Sequence, residues 1–342
     1  MTTPAIAKRI DELAAGYLPS LTLFAALELG LFDAIGDGCS LADLNTRILG
    51  KLDGTTRLCR ALVALGLLEL EAGSVRIVDE ARGVLCGEAA APQLAMVRLH
   101  RRQLLPPLLR LAHGVRNGGP QHAAWPFASI PVAALPYDEL ARHPEELRTL
   151  ALAMDHACVG VGAAIARTVD LSRARLLVDL GCGAGGVARE LLTALPHLKI
   201  RGFDHEVVCD LARERSVAAK LSDRHVLEPG DLRDGVPIHN ADVVLLSAVL
   251  ADFPADERLA ILQRAKSTVR PGGMLLVSET LLDEGRTSPA RSALLSLVML
   301  VAARGDQLSG AQLAAELVAA GFARPRIHRH AVRDLVVAFH DS

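Results

Sequence analysis

The chain has 342 residues, 51% apolar and 22% charged, with 37 basic against 39 acidic side chains and a formal net charge of -2. So apolar a chain folds rather than remaining disordered, and its length suits two domains. The even charge balance removes the usual warrant for a nucleic-acid or anionic-membrane partner, which needs a local excess of Lys and Arg.

Six cysteines, Cys39, Cys59, Cys86, Cys158, Cys182 and Cys209, are scattered without a CxxC pair, so they read as reduced, mostly buried thiols. The N-terminal MTTPAIAKRIDEL turns charged before an apolar run forms. The longest apolar stretch, residues 293–303, is shorter than the roughly 20 residues of a spanning helix. The expectation is a cytoplasmic protein without a membrane anchor.

From residue 10 to about 112, apolar residues recur at three- and four-residue spacing, which predicts helices. Leu18, Leu21, Phe24, Leu27 and Leu31 form one stripe. Ser40-Leu41-Ala42-Asp43 reads as a capping box opening a short helix. Thr55 is expected to start another helix and Gly66 to end it. Residues 67–78 then alternate around Ala72-Gly73, a strand–turn–strand signal. Helix, turn, helix and hairpin make a winged-helix outline. A DNA-binding reading would place Thr56, Arg57 and Arg60 on a recognition helix. That helix is mostly Leu, Ala and Val, so the module reads as structural.

Residues 114–136 are rich in Gly and Pro and carry the single tryptophan, Trp125. A long helical stretch follows from Pro136, broken near Pro144. From Leu176 onward, strands at 176–180, 198–204, 225–231, 241–250 and 274–280 alternate with helices. Near-continuous apolar strands in such a pattern predict an α/β fold with a parallel, doubly wound sheet covered on both faces. Residues 324–340 read as a hairpin adding an antiparallel edge.

The motif with the most chemical content is Val178-Asp-Leu-Gly-Cys-Gly-Ala-Gly-Gly186. A strand ends, and Gly181, Gly183 and Gly185 let the backbone pass close to a ligand before a helix begins. A glycine turn of this kind fits dinucleotide and adenosyl cofactors alike. Asp204 ends the next strand, where a carboxylate can accept both ribose hydroxyls, and Gly230-Asp231 ends the third, placed to accept from an adenine amino group. Asp179 precedes the turn and suits an ammonium group better than a phosphate. His328 and His330 share a strand face, but no Asp or Cys joins them at a recognisable spacing, so no metal is expected.

The segments VDLGCGAGG, FDHE, EPGDL, VLLSAVLADF and VRPGGMLLVSE resemble the successive motifs of class I S-adenosylmethionine-dependent methyltransferases. The order of regions resembles the small-molecule O-methyltransferases, which are homodimers of the caffeate and natural-product type. The resemblance implies a helical, winged-helix dimerisation domain over 1–112, a linker and long connecting helix over 113–171, and a Rossmann-like cofactor domain over 172–342. It implies that Gly181, Gly183 and Gly185 cradle the methionine part of S-adenosylmethionine, with Asp204 and its neighbour His205 at the ribose and Gly230, Asp231 and Leu232 around the adenine. Ser247 stands where the family often has a basic residue near the cofactor. Met154 and Asp155 match the helix lining the substrate pocket, and Trp125 is assigned to the same side.

The family's general base is a His in a His-Asp-Trp segment, and here the run is Leu250-Ala251-Asp252-Phe253, with alanine at that position. Glu279 and Asp306 stand where the family has supporting acids, Glu279 alternatively serving as a cap or ion-pair partner. Glu279, Asp252 and His156 form the candidate catalytic set, with Asp155 as a further candidate base. The implied activity is methyl transfer to oxygen or carbon of a small aromatic or enolisable natural-product intermediate. The alternatives are an already acidic substrate that needs no base, or a non-methylating decarboxylase, hydroxylase or cyclase that retains the cofactor.

Overall fold

The computed structural model of the chain describes residues 4–86, 91–129 and 136–341. Two compact units divide between Arg98 and Leu99. The division falls ahead of the expected boundary at 112, and residues 113–171, expected as a linker, belong to the second unit.

In the first unit the helices are α1 (Pro4–Ala15), α2 (Leu18–Glu28), α3 (Leu31–Ile35), α4 (Leu41–Arg47), α5 (Leu52–Ala64), α6 (Asp79–Leu85) and all but the last residue of α7 (Ala91–Leu99). Strands β1 (Cys39–Ser40), β2 (Leu68–Glu71) and β3 (Ser74–Ile77) form a small antiparallel sheet in the order β1-β3-β2. The Ser40 hydroxyl oxygen accepts from the Asp43 backbone N–H at 3.0 Å and so caps α4. The β2–β3 turn places Ala72 and Gly73 at φ 47° and 81°, the left-handed pair of a tight hairpin. Helix α5 starts at Leu52, a turn earlier than expected, with Asp53 in its first turn. Thr55 faces inward instead, donating to Asn45 at 2.8 Å.

The core of this unit gathers Leu31, Phe32, Ile35, Leu44, Leu62 and Val75. Of the predicted stripe only Leu31 is fully buried; Leu18 and Leu21 are exposed, as are Ile6, Ile10, Leu13 and Tyr17. This unit therefore presents an apolar face along α1 and α2. By length and composition the run Ala5–Glu28 is long and apolar enough to cross a bilayer. The expectation of no such run came from counting uninterrupted apolar residues, whereas α1 sets Lys8, Arg9, Asp11 and Glu12 among its apolar ones.

The second unit opens with the C-terminal end of α7 (Ala91–Leu99), then α8 (Leu105–Leu108), α9 (Leu111–Asn117), α10 (Pro136–Leu140), α11 (Pro144–Ala157) and α12 (Val161–Thr168). Strands β4 (Leu176–Leu180), β5 (Lys199–Asp204), β6 (His225–Pro229), β7 (Ala241–Ser247) and β8 (Val269–Glu279) alternate with α13 (Gly186–Ala194), α14 (Glu206–Ala218) and α15 (Ala255–Thr268). Helices α16 (Ala290–Ala302) and α17 (Gly310–Ala319) precede the hairpin β9 (Ala323–His328) and β10 (Asp334–Phe339). The seven-stranded sheet runs β6-β5-β4-β7-β8-β10-β9, with β10 antiparallel to both its neighbours and the other pairs parallel.

Both faces of the central strands are covered, as their unbroken apolar character requires. Val178, Leu180, Val244 and Leu246 bury one face, and Leu177, Val243, Leu245 and Leu276 the other. The chain leaves β4 for β5 on one side and later returns to β7 on the other. The C-terminal end of β4 is thus a topological switch point, where open α/β sheets bind their ligands.

Candidate active site

Strand β4 delivers Asp179 and Leu180 to that switch point, and the chain turns through Gly181, Gly183 and Gly185 at φ 75°, 54° and 76° before α13. Side chains are strained in this backbone region. At Gly181 the objection is also steric, because a Cβ would stand 2.7 Å from Val249 Cγ2. Gly185 does not line the cleft; it is the N-cap of α13, and a Cβ there would press on the His225 ring at 2.9 Å.

Asp204, at the end of β5, accepts from the Gly183 N–H at 2.9 Å through one oxygen and from the His205 N–H at 2.7 Å through the other. Each oxygen keeps a further lone pair. Burial raises its pKa, an effect these two backbone bonds oppose. Asp179 is buried, and its Oδ1 has no hydrogen-bond partner among the described residues. Burial, joined by the charge of Asp204, pushes its pKa up to about 7. Asp231, beyond β6, accepts from the Arg233 backbone N–H at 2.8 Å and from the Arg233 guanidinium, which also reaches Asp138 at 2.7 Å. Burial would raise its pKa, but the Arg233 bonds outweigh that and hold it below the usual carboxylate value.

One open cleft, about 980 Å³ counting the solvent space at its mouth, brings together Asp179, Gly181, Gly183, Asp204, His205, Gly230, Asp231, Leu232 and Ser247 with Met154 and Asp155 of α11. Gly230 lies against the Phe203 ring, where any Cβ would overlap it. Beside these predicted residues the cleft is lined by Tyr137, Cys158 and Phe253. The Tyr137 ring stacks on His205 and Phe253 at 6.3 and 6.2 Å between centroids, and its hydroxyl donates to the Asp252 carboxylate. Only the PYDE helix start drew attention to this region in the sequence, and nothing local ties position 137 to position 252.

Several candidates lie elsewhere. Trp125 belongs to a core cluster with Leu140, Leu147 and Ala151, and its indole N–H donates to the Gln103 carbonyl at 2.7 Å. It does not line the cleft. Helix α11 turns Leu147, Leu150, Ala151, Met154 and Asp155 to the cleft, and the 100° step per residue carries His156 off that face. Asp155 is engaged by Arg189 at 3.0 Å and Arg215 at 2.8 Å, a three-helix ion cluster rather than a free base.

Glu279, buried at the end of β8, does not line the cleft either. One of its oxygens accepts from the backbone N–H groups of Val249 at 3.0 Å and Leu250 at 2.9 Å. It therefore anchors the turn after β7. Burial raises its pKa despite these bonds. Gly305 backs the same turn so closely that a Cβ would collide with the Ala251 carbonyl. Asp252 reaches the cleft only through Tyr137. Asp306 is held by Arg286 and Ser296. His330 bonds to Thr168 at 3.2 Å, and no cluster of three or more His, Cys, Asp and Glu suited to a metal occurs among the described residues.

An orphaned buried carboxylate oxygen, a glycine cradle that side chains would fill, and acids at three successive strand ends suit the ammonium, methionine and nucleoside parts of S-adenosylmethionine. Fold and site define an S-adenosylmethionine-dependent methyltransferase. The chain belongs to the O-methyltransferase family: residues 109–323 match its O-methyltransferase domain and residues 11–82 the O-methyltransferase dimerisation domain. It is 31% identical over 324 residues, 94% of this chain and 91% of that protein, to a 3-hydroxy-5-methyl-1-naphthoate 3-O-methyltransferase of Streptomyces sahachiroi. Human N-acetylserotonin methyltransferase, solved in complex with S-adenosylmethionine, superposes with a TM-score of 0.87 at 27% identity, covering 100% of this chain and 99% of that one. PigF, solved with S-adenosylhomocysteine, gives 0.88 at 25% identity, covering 99% and 100%.

Proposed function

We propose that the protein transfers a methyl group from S-adenosylmethionine to a hydroxyl of a small aromatic, natural-product-like molecule. The observation that carries the cofactor side is Asp179, whose unpartnered buried oxygen stands beside the glycine turn. In this reading Asp179 faces the ammonium, the free lone pairs of Asp204 take the ribose hydroxyls, and Asp231 and Leu232 flank the adenine. When bound, the cofactor supplies an electrophilic methyl carbon on a sulfonium. The chain's task is then to orient an acceptor in line with that carbon and to exclude water.

The acceptor side is apolar. Leu147, Leu150, Met154 and Phe253 wall the cleft, a surface suited to a flat aromatic body. The naphthoate and N-acetylserotonin named for two relatives support that class. Ala251, where the family carries its base, favours a second reading: a non-methylating enzyme of this fold. We also propose a homodimer formed through the dimerisation domain, no nucleic-acid or membrane partner, and a reducing cytoplasmic location in keeping with six free cysteines.

Two measurements test the assignment. By calorimetry, Asp204→Ala should weaken S-adenosylmethionine binding at least tenfold, about 1.4 kcal/mol; unchanged affinity would remove Asp204 from the site. The purified protein, given hydroxylated aromatics, should produce S-adenosylhomocysteine. Cofactor binding with no product from any of them would favour the second reading.

A further inference from the structure

We propose that Tyr137 and Asp252 form the proton path that Ala251 cannot provide, Tyr137 taking the acceptor's hydroxyl proton while its own passes to Asp252. The proposal rests on the reading that the acceptor is a hydroxyl.

Tyr137 lines the cleft whereas Asp252 does not, and the Tyr137 O–H already points at the Asp252 carboxylate. The phenolic oxygen keeps lone pairs that can accept a second hydrogen bond. Ring stacking on His205 and Phe253 holds it in place. Glu279, the acid at the end of β8, has an oxygen committed to the backbone of Val249 and Leu250 and does not line the cleft. Asp155 is committed to two arginines. Asp179 and Asp204 also line the cleft without an arginine partner, but the proposed function gives both to the cofactor. Outside that cradle, the Tyr137–Asp252 pair is the route by which a cleft proton reaches a carboxylate that no arginine ion pair engages.

Its basicity suits the task. Burial pushes Asp252 up to about 6, with the Tyr137 bond opposing, Glu279 adding and Arg333 subtracting. That is close to the value of about 6.5 of an ordinary imidazole. Tyr137 is itself held protonated, by burial first and then by the charges of Asp252, Asp204 and Glu279. A free tyrosinate is excluded, and the transfer must be a concerted relay. In the balance, the acceptor O–H and the sulfonium S–CH₃ bonds break and a C–O bond forms. The sulfur keeps the S–C electron pair, and the proton ends on Asp252, to be released to water after the product leaves.

The groups facing Asp252 are Tyr137 from α10, Glu279 from β8 and Arg333 from the β9–β10 turn. The test reads single-turnover methyl transfer against pH, with S-adenosylmethionine kept saturating at every pH and with 3-hydroxy-1-naphthoate and further hydroxylated bicyclic aromatics as probes. Wild type should lose rate below pH about 6. Tyr137→Phe should lose about 100-fold or more and shed that acid limb, while its S-adenosylmethionine affinity stays within about threefold. Asp252→Asn should do the same, which keeps the test intact if one variant fails to fold. Independently of activity, carboxyl ¹³C NMR of the cofactor-free protein should show a group titrating near 6, absent in Asp252→Asn and shifted upward in Tyr137→Phe as the bond that lowers it is lost. A Tyr137→Phe rate within threefold of wild type, or weakened cofactor binding with an unchanged rate at saturation, overturns the relay and leaves the methyltransferase reading standing. No product from any probe with wild type overturns the hydroxyl reading and the relay together.

Discussion

Asp179 has opposite effects on the empty and the filled site. With a folded-state pKa of about 7, against roughly 3.9 for an exposed Asp, the cofactor-free protein holds a proton that the unfolded chain releases between those values. Folding stability should therefore fall as pH rises from about 4 through 7, and level off above. Asp179→Asn should make the cofactor-free protein melt higher than wild type at pH 8, with a ceiling of roughly 4 kcal/mol at about 1.4 per unit, and the gap should close towards pH 4. Thermal melts across pH check the sign. Binding an ammonium reverses the preference, because it favours the ionised carboxylate. Wild-type affinity for S-adenosylmethionine should thus drop up to about tenfold per unit below pH 7, with proton release visible in the calorimetric heat, and Asp179→Asn should bind weakly throughout. At position 251, where the relay already supplies a base, Ala251→His should raise methyl transfer less than tenfold; a gain of 10² or more would show a site that had merely lost its histidine. The cradle residues were legible because glycines and acids at strand ends are dictated by a few adjacent positions. The Tyr137–Asp252 pair joins residues 115 positions apart, and no local pattern encodes it.

Between elements, the joint of α11, α13 and α14 depends on one carboxylate. Asp155 bonds to Arg189 of α13 and Arg215 of α14, and stands against the N-terminal Gly186 of α13, where a Cβ would strike it. Its side chain is 6% exposed, against 17% and 30% for the arginines. Asp155→Ala would leave two partly buried cations facing each other, a cost of about 2–3 kcal/mol after allowance for their exposure. Denaturant unfolding should show that loss, with methyl transfer by the folded fraction retained; a stable variant without activity would restore Asp155 to the chemistry. The strands of this unit were readable from runs of apolar residues, as was the hairpin that closes the sheet. The phase of α11 was not, because an amphipathic stretch gives a face but not what covers it. His156, which lies off the cleft face, was misplaced for that reason, while Trp125 sits in a Gly- and Pro-rich loop that folds inward on a core, which loop composition does not announce.

For the whole molecule, the apolar face along α1 and α2 lies partly within residues 11–82, which match the dimerisation domain, and is proposed as part of the homodimer interface. Leu13→Glu combined with Leu18→Glu should shift sedimentation from dimer towards monomer or aggregate, since each places a charge on that face; an unchanged dimer would move the interface elsewhere. The apolar excess was legible in the sequence, and the resemblance assigned it to a dimerisation domain; which residues of the stripe face outward was not, because composition does not say whether the chain itself or a second copy supplies the cover. The turn after β7 carries a different lesson. Glu279 grips it by main-chain N–H groups and Gly305 supports it from behind, so neither contact uses the side chain at 251. That position is a socket in a fixed frame. An exchange of that one codon leaves both backbone contacts in place, so the position where the family carries its base can vary without touching the residues that handle the methyl donor.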